Sequence, residues 1–114
     1  METIFDKILR KEVPAKIIYE DEYVLAFNDL APQASVHILV IPKKRAASLY
    51  DLKDWTLSEV GSFLTRVGLV ASLLDLDRSG YRVVINSGDH GGQTVHYLHA
   101  HILGGESLQN SFGA

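Results

Sequence analysis

The 114-residue chain has a formal charge of -3, is 46% hydrophobic and 22% charged, and contains no cysteine. That length suits one domain over residues 1–114, and the composition excludes a disordered or fibrous chain. The missing thiols exclude disulfides and thiolate zinc sites, the scattered basic residues exclude a footprint for long DNA or RNA, and no apolar run is long enough to cross a bilayer.

The N-terminal run METIFDKILRKE has charges inside its apolar pattern, unlike a signal peptide, and a cytoplasmic protein is expected. Thr3 and Asp6 have the spacing of a capping pair, and Ile4, Phe5, Ile8 and Leu9 follow at helical spacing, which predicts a short helix stopped by Pro14. KIIYEDEYVLAFND has two β-rich runs around the acidic turn Glu20 to Glu22, as in a hairpin. VHILVIP is a third strand, ended by Pro42, which cannot donate to a ladder.

From Thr56 to about Leu76 the period changes. Thr56 and Glu59 form a capping box, and Val60, Phe63, Leu64, Val67, Ala71 and Leu74 mark an apolar stripe, predicting an amphipathic helix that Gly61 and Gly68 weaken. Arg78 to Gly80 is a turn, YRVVINS a fourth strand, GDHGGQ a loop and VHYLHAHIL a fifth strand. Most connections between strands are too short for parallel crossovers, so the expected class is α+β with a five-stranded, largely antiparallel sheet, a short N-terminal helix and one long helix.

The chemistry lies in the last strand. Side chains alternate across a strand, so Val95, Tyr97, His99, His101 and Leu103 share one face, whereas His96 looks to the other with Leu98, Ala100 and Ile102. His99 and His101 then stand about 7 Å apart along the strand. The loop from Asn86 to Thr94 adds backbone N–H groups and amide and hydroxyl side chains, a suitable wrapping for an oxyanion.

KIIYEDEYVLAFNDLAPQASVHILVIPKK together with YRVVINSGDHGGQTVHYLHAHILGG resembles the histidine triad (HIT) superfamily, in its branch of Hint-type nucleotide-binding proteins, from Ile4 to Gly105. The resemblance implies a homodimer whose two sheets join, without a cofactor, that hydrolyses purine nucleoside phosphoramidates (AMP or GMP type) or transfers the nucleotidyl group. It assigns to His99 the attack on the α-phosphorus, with a backbone carbonyl holding its far nitrogen. His101 corresponds to the third triad histidine at the phosphate, and His37 to a fourth on the neighbouring strand. Asn86, Gly92, Gln93 and Thr94 match the phosphate-side residues, Asp29 the carboxylate for the ribose hydroxyls, and Ile4, Phe5, Ile8, Phe27 and Leu30 the slot for the base.

Two positions depart from the family pattern. Tyr97 stands where the family has its first triad histidine, with a hydroxyl that stays protonated at neutral pH, and the tail ESLQNSFGA lacks the family's tryptophan-proline ending. An altered triad keeps a second class in play, a nucleotide-binding module with weak or no catalysis. If Tyr97 limits turnover, restoring histidine should raise the rate. A metal site on His99, His101 and His37 ranks last, because no cysteine or nearby carboxylate completes a four-ligand set.

Overall fold

The computed structural model describes residues 1–109. Helix α1 (Ile4–Leu9) is followed by strands β1 (Ile17–Glu20), β2 (Val24–Asn28) and β3 (Val36–Pro42), a 3-10 turn at Leu49–Asp54, helix α2 (Leu57–Leu73), and strands β4 (Arg82–Val84) and β5 (Ala100–Gly104). The strands form one sheet in the order β1-β2-β3-β5-β4, with every neighbouring pair antiparallel. This is the expected α+β arrangement. Among the described residues no helix is long and apolar enough to cross a membrane.

Local chemistry sets the helix ends. Thr3 accepts from the Asp6 N–H while the Asp6 carboxylate accepts from the Thr3 N–H, a reciprocal cap. α1 stops at Leu9, short of Pro14, and Lys11 follows in the left-handed region at φ 62°. Thr56 and Glu59 cap α2 in the same way. α2 ends three residues before the predicted Leu76, because Asp75 turns left-handed at φ 59° and sends Leu76 down into the core. The buried face of α2 is Phe63, Val67, Val70 and Ala71, whereas Leu64, expected in the stripe, is 50% exposed.

Two hydrophobic clusters lie on opposite faces of the sheet. One joins α2 to Val24, Ala26, Ile38, Val40, Leu98, Ala100 and Ile102. The other joins Phe5 and Ile8 of α1 to Leu25, Phe27, Leu39, Ile41 and Tyr97. The period-two alternation of β2 and β3 produces this division, so both are buried on each face. The fifth strand is shorter than its sequence pattern. VHYLHAHIL predicts a strand from Val95, but the ladder begins at Ala100, and Val95 to Tyr97 form a bend.

Candidate functional site

α1, the segment after it and the strands enclose a cavity of about 320 Å³, lined by Ile4, Phe5, Ile8, Phe27, Asp29 and Leu30 and closed at one end by Thr94, His99 and His101. All six residues expected around a nucleoside therefore meet in one slot. Val13, Pro14, Ala15 and Leu39 also line it. Nothing in the local pattern of Val13 to Ala15 marks them, because they come from an irregular connection. A second concavity of about 390 Å³ shares Asp29, Thr94, His99 and His101 with the first and adds Gln33, His37, Asn86, Gly92 and Leu103. The two imidazoles stand between an apolar slot and a polar cleft.

Register brings the histidines together. His37 pairs with Leu103 and Leu39 with His101 across β3 and β5, so His37 and His101 are diagonal neighbours on one face. Their rings are 5.1 Å apart, and His99 lies 5.0 Å from His101, closer than the spacing along an ideal strand. Phe5 meets the His99 ring edge-on at 5.0 Å.

The hydrogen bonds fix the tautomers. A carbonyl oxygen can only accept, so His99 Nδ1, 2.7 Å from the Tyr97 carbonyl, carries the proton, and Nε2 keeps its lone pair. The Gln33 backbone N–H donates to His37 Nδ1 at 3.0 Å, which puts the His37 proton on Nε2. That nitrogen faces His101 Nδ1 at 2.9 Å and Asp29 Oδ2 at 3.4 Å. His101 thus accepts on Nδ1 and, when neutral, has its own N–H on Nε2.

Burial holds the His99 pKa below its ordinary value, against the opposing pull of the Tyr97 carbonyl and Asp29. His101 drops to about 4, through burial first and then repulsion from His99 and His37. With both pKa values held down, the two rings are neutral at pH 7, so the donor at His101 is an imidazole N–H and not an imidazolium. Between pH 6.5 and about 4 the unfolded chain binds protons that the native state refuses, so stability should fall as pH falls through that window, by on the order of 2 kcal/mol. Urea midpoints at pH 7 and pH 5 measure this, and His101→Asn should flatten the difference. The low-lying carboxylates Asp6 and Asp21 lose their contribution only below about pH 4, outside the window.

The glycine loop is built for close approach. Gly88 and Gly92 have φ of 71° and 79°, and a Cβ on Gly91 would sit 2.4 Å from the Ser87 carbonyl oxygen. Asn86 closes the loop by donating to the Gly91 carbonyl at 2.7 Å. Gln93 is not where the pattern puts it. Its Nε2 donates to the carbonyls of Ala47 and Val95, and its Oε1 accepts from the Gly88 N–H, so the buried side chain ties the loop down and lines neither concavity.

Tyr97 also departs from expectation. It faces the same side as His99, but the side chain is sunk in the α1-side cluster at 1% exposure, with its hydroxyl donating to the Pro42 carbonyl. Burial, reinforced by Asp6, pushes its pKa up to about 12. It lines neither concavity, and only its carbonyl serves the cluster. His96, expected to pack on the far face, is exposed beside Met1, Thr3 and Arg45.

A carboxylate does lie near the histidines, contrary to the sequence expectation. Asp29, His37 and His101 bring one ligand atom each within 4.8 Å of one another. The donor set is nevertheless unsuited to a metal, since His37 Nε2 bears a proton where a ligand needs a lone pair. The last five residues of the tail, 110–114, lie outside the described residues.

The HIT domain family model matches residues 10–108. An uncharacterised HIT-like protein of Synechococcus elongatus is 52% identical over 107 residues, covering 94% of this chain and 93% of that protein. The purine nucleoside phosphoramidase of Escherichia coli is 40% identical over 107 residues, covering 94% and 90%. The structure of a histidine triad protein from Clostridium difficile superposes with a TM-score of 0.90 at 45% identity, covering 98% of this chain and 97% of that one.

Proposed function

We propose, since this chain belongs to the HIT domain family, that it hydrolyses purine nucleoside phosphoramidates through a nucleotidyl group carried transiently on His99. The observation that carries the reading is the His99 tautomer. A proton held on Nδ1 by a carbonyl leaves a neutral ring with a free lone pair on Nε2, at the junction of an apolar slot and a donor-lined cleft. The phosphoramidase relative supports the substrate class.

In the first step His99 Nε2 bonds to the α-phosphorus and the P–N bond breaks, its electron pair leaving with the amine. The amine takes a proton from His101 Nε2–H, which His101 replaces at Nδ1 from His37 Nε2–H, and a proton taken up from solvent on the Asp29 side restores His37 Nε2–H so that no imidazolate is left. Water then attacks the phosphorus, its proton returns along the same path, and His99 is released neutral with the nucleoside monophosphate. Neutral N–H donors from His101 and the loop around Asn86, Gly92 and Thr94 meet the charge that develops on the phosphoryl oxygens. Phe5, Ile8 and Phe27, with Ile4 and Leu30 at the rim, hold the purine, and the Asp29 carboxylate accepts from the ribose hydroxyls.

A nucleotide-binding module without turnover is the competing reading, and it depended on Tyr97. The Tyr97 side chain stands outside the His37–His101 path, so replacing an imidazole there leaves that path whole. We further propose a cytoplasmic homodimer joined through the free edge of β4. Val83 there pairs with Ile102 and so projects to the α2 side of the sheet, where Leu64 and Leu73 are also exposed.

Incubation with adenosine 5′-phosphoramidate, followed by mass spectrometry of the acid-free quench, tests the reaction. AMP release and an adenylyl adduct on the peptide containing His99 are expected. AMP binding with neither product nor adduct would select the binding module.

A further inference from the structure

The carbonyl that orients His99 belongs to a segment without the support of a sheet. β5 begins at Ala100, and the bend before it is tied to the body by the Leu98 N–H, which donates to the Ala46 carbonyl at 2.8 Å. In a ladder, paired neighbours would fix the direction of the Tyr97 carbonyl. Here the Tyr97 side chain fixes it instead, with its hydroxyl anchored on Pro42 at the end of β3 and its ring meeting Phe5 edge-on at 6.2 Å.

The open side of that ring is covered by Arg45, whose guanidinium carbon lies 5.2 Å from the ring centroid. The same guanidinium forks onto Asp6 of α1, Nε to Oδ1 at 2.9 Å and Nη2 to Oδ2 at 3.2 Å, and Nη2 also donates to the Met1 carbonyl at 2.6 Å. α1 is the helix that lays Phe5 edge-on against His99. Arg45 therefore touches both the residue whose carbonyl holds the imidazole and the helix that covers it.

We propose that Arg45 is a positioning residue for His99: stacked on Tyr97 and forked onto Asp6, it locks the orienting carbonyl and the covering helix into one unit. The inference rests on the reading of His99 as nucleophile for its kinetic consequence alone. A planar fork is needed for both contacts at once, which lysine lacks. The alternative is a half-exposed surface ion pair of the kind that contributes little.

Arg45→Gln, Arg45→Lys and Asp6→Asn separate the two. Nitrogen-15 shifts of the His99 ring, followed through a pH titration of the ligand-free protein, report its tautomer and midpoint. The charged or titratable groups around that ring, His101, Asp29 and, behind His101, His37, are the same in all variants. With Arg45→Gln we expect the ring to sample both tautomers and its midpoint to rise toward the ordinary imidazole value as water gains access. kcat on adenosine 5′-phosphoramidate should fall about tenfold with KM changed less than about threefold. Asp6→Asn should move both readouts in the same direction, and Arg45→Lys should not restore them.

A His99 tautomer and titration unchanged in Arg45→Gln would overturn the proposal, as would full recovery with lysine. If the unaltered protein has no phosphoramidase activity, the functional reading fails, and the nitrogen-15 measurement still decides the role of Arg45.

Discussion

Replacing His99 with alanine is expected to cut phosphoramidate hydrolysis by about four orders of magnitude or more while the protein stays folded. In the proposed reaction His99 forms the covalent bond that divides hydrolysis into two steps, and no neighbouring side chain can take its place. His101 is the nearest candidate, but its Nδ1 accepts from His37 and its Nε2 bears the proton, so it presents no lone pair to phosphorus. The fold should survive, because the α1-side cluster is held by Phe5, Leu25, Phe27, Leu39, Ile41 and Tyr97, with His99 at its margin. Steady-state rates beside circular dichroism and a thermal midpoint check both halves. Turnover close to that of the unaltered protein would remove His99 from the mechanism.

Tyr97→His should slow the enzyme, although the family pattern suggests that a histidine there would speed it. The phenol is fully buried and its hydroxyl reaches the Pro42 carbonyl, which the shorter imidazole cannot reach. Truncating a buried aromatic costs about 2–4 kcal/mol, and a carbonyl that loses its donor costs about 1 kcal/mol more. The bend that carries the Tyr97 carbonyl would loosen with it, and kcat should drop about tenfold. Tyr97→Phe keeps the ring and loses only the hydroxyl, so its stability loss should be nearer 1 kcal/mol. Urea unfolding and kcat for both variants give the comparison. A faster Tyr97→His enzyme would mean that this position belongs to the proton path after all.

Capping chemistry and strand parity can be read from the residues because both act over a few positions. Thr3 with Asp6 and Thr56 with Glu59 start helices where their spacing predicts. Ser48 with Asp51 is the same signal and caps the 3-10 turn at Leu49–Asp54, an element the pattern leaves unmarked because no apolar stripe follows it. Parity holds from Tyr97 to Ile102 even though the ladder starts only at Ala100: Tyr97 and the two histidines look one way, Leu98 and Ile102 the other. Alternation belongs to an extended backbone, whether or not its N–H groups are paired.

Longer-range partners are a different matter. The Tyr97 hydroxyl finds its acceptor at Pro42, 55 positions away, and the Gln93 amide reaches back 46 positions to Ala47. A family pattern lends such residues a role by position, while three-dimensional packing decides which atoms remain free. The residues that the resemblance assigns to a base slot do line one cavity, and His37, His99 and His101 do cluster, whereas the side chains of Gln93 and Tyr97 line neither concavity.

α1 has only six residues, too few to persist as a helix in water without tertiary support. Its buried anchors, Phe5 and Ile8, are also walls of the slot. A purine lying against them would shield the same apolar faces that keep the helix docked, so an occupied slot braces its own doorway and a vacated one lets it breathe. On the proposed reading, entry and departure of the nucleotide would be coupled to this short helix and not to the five-stranded sheet behind it.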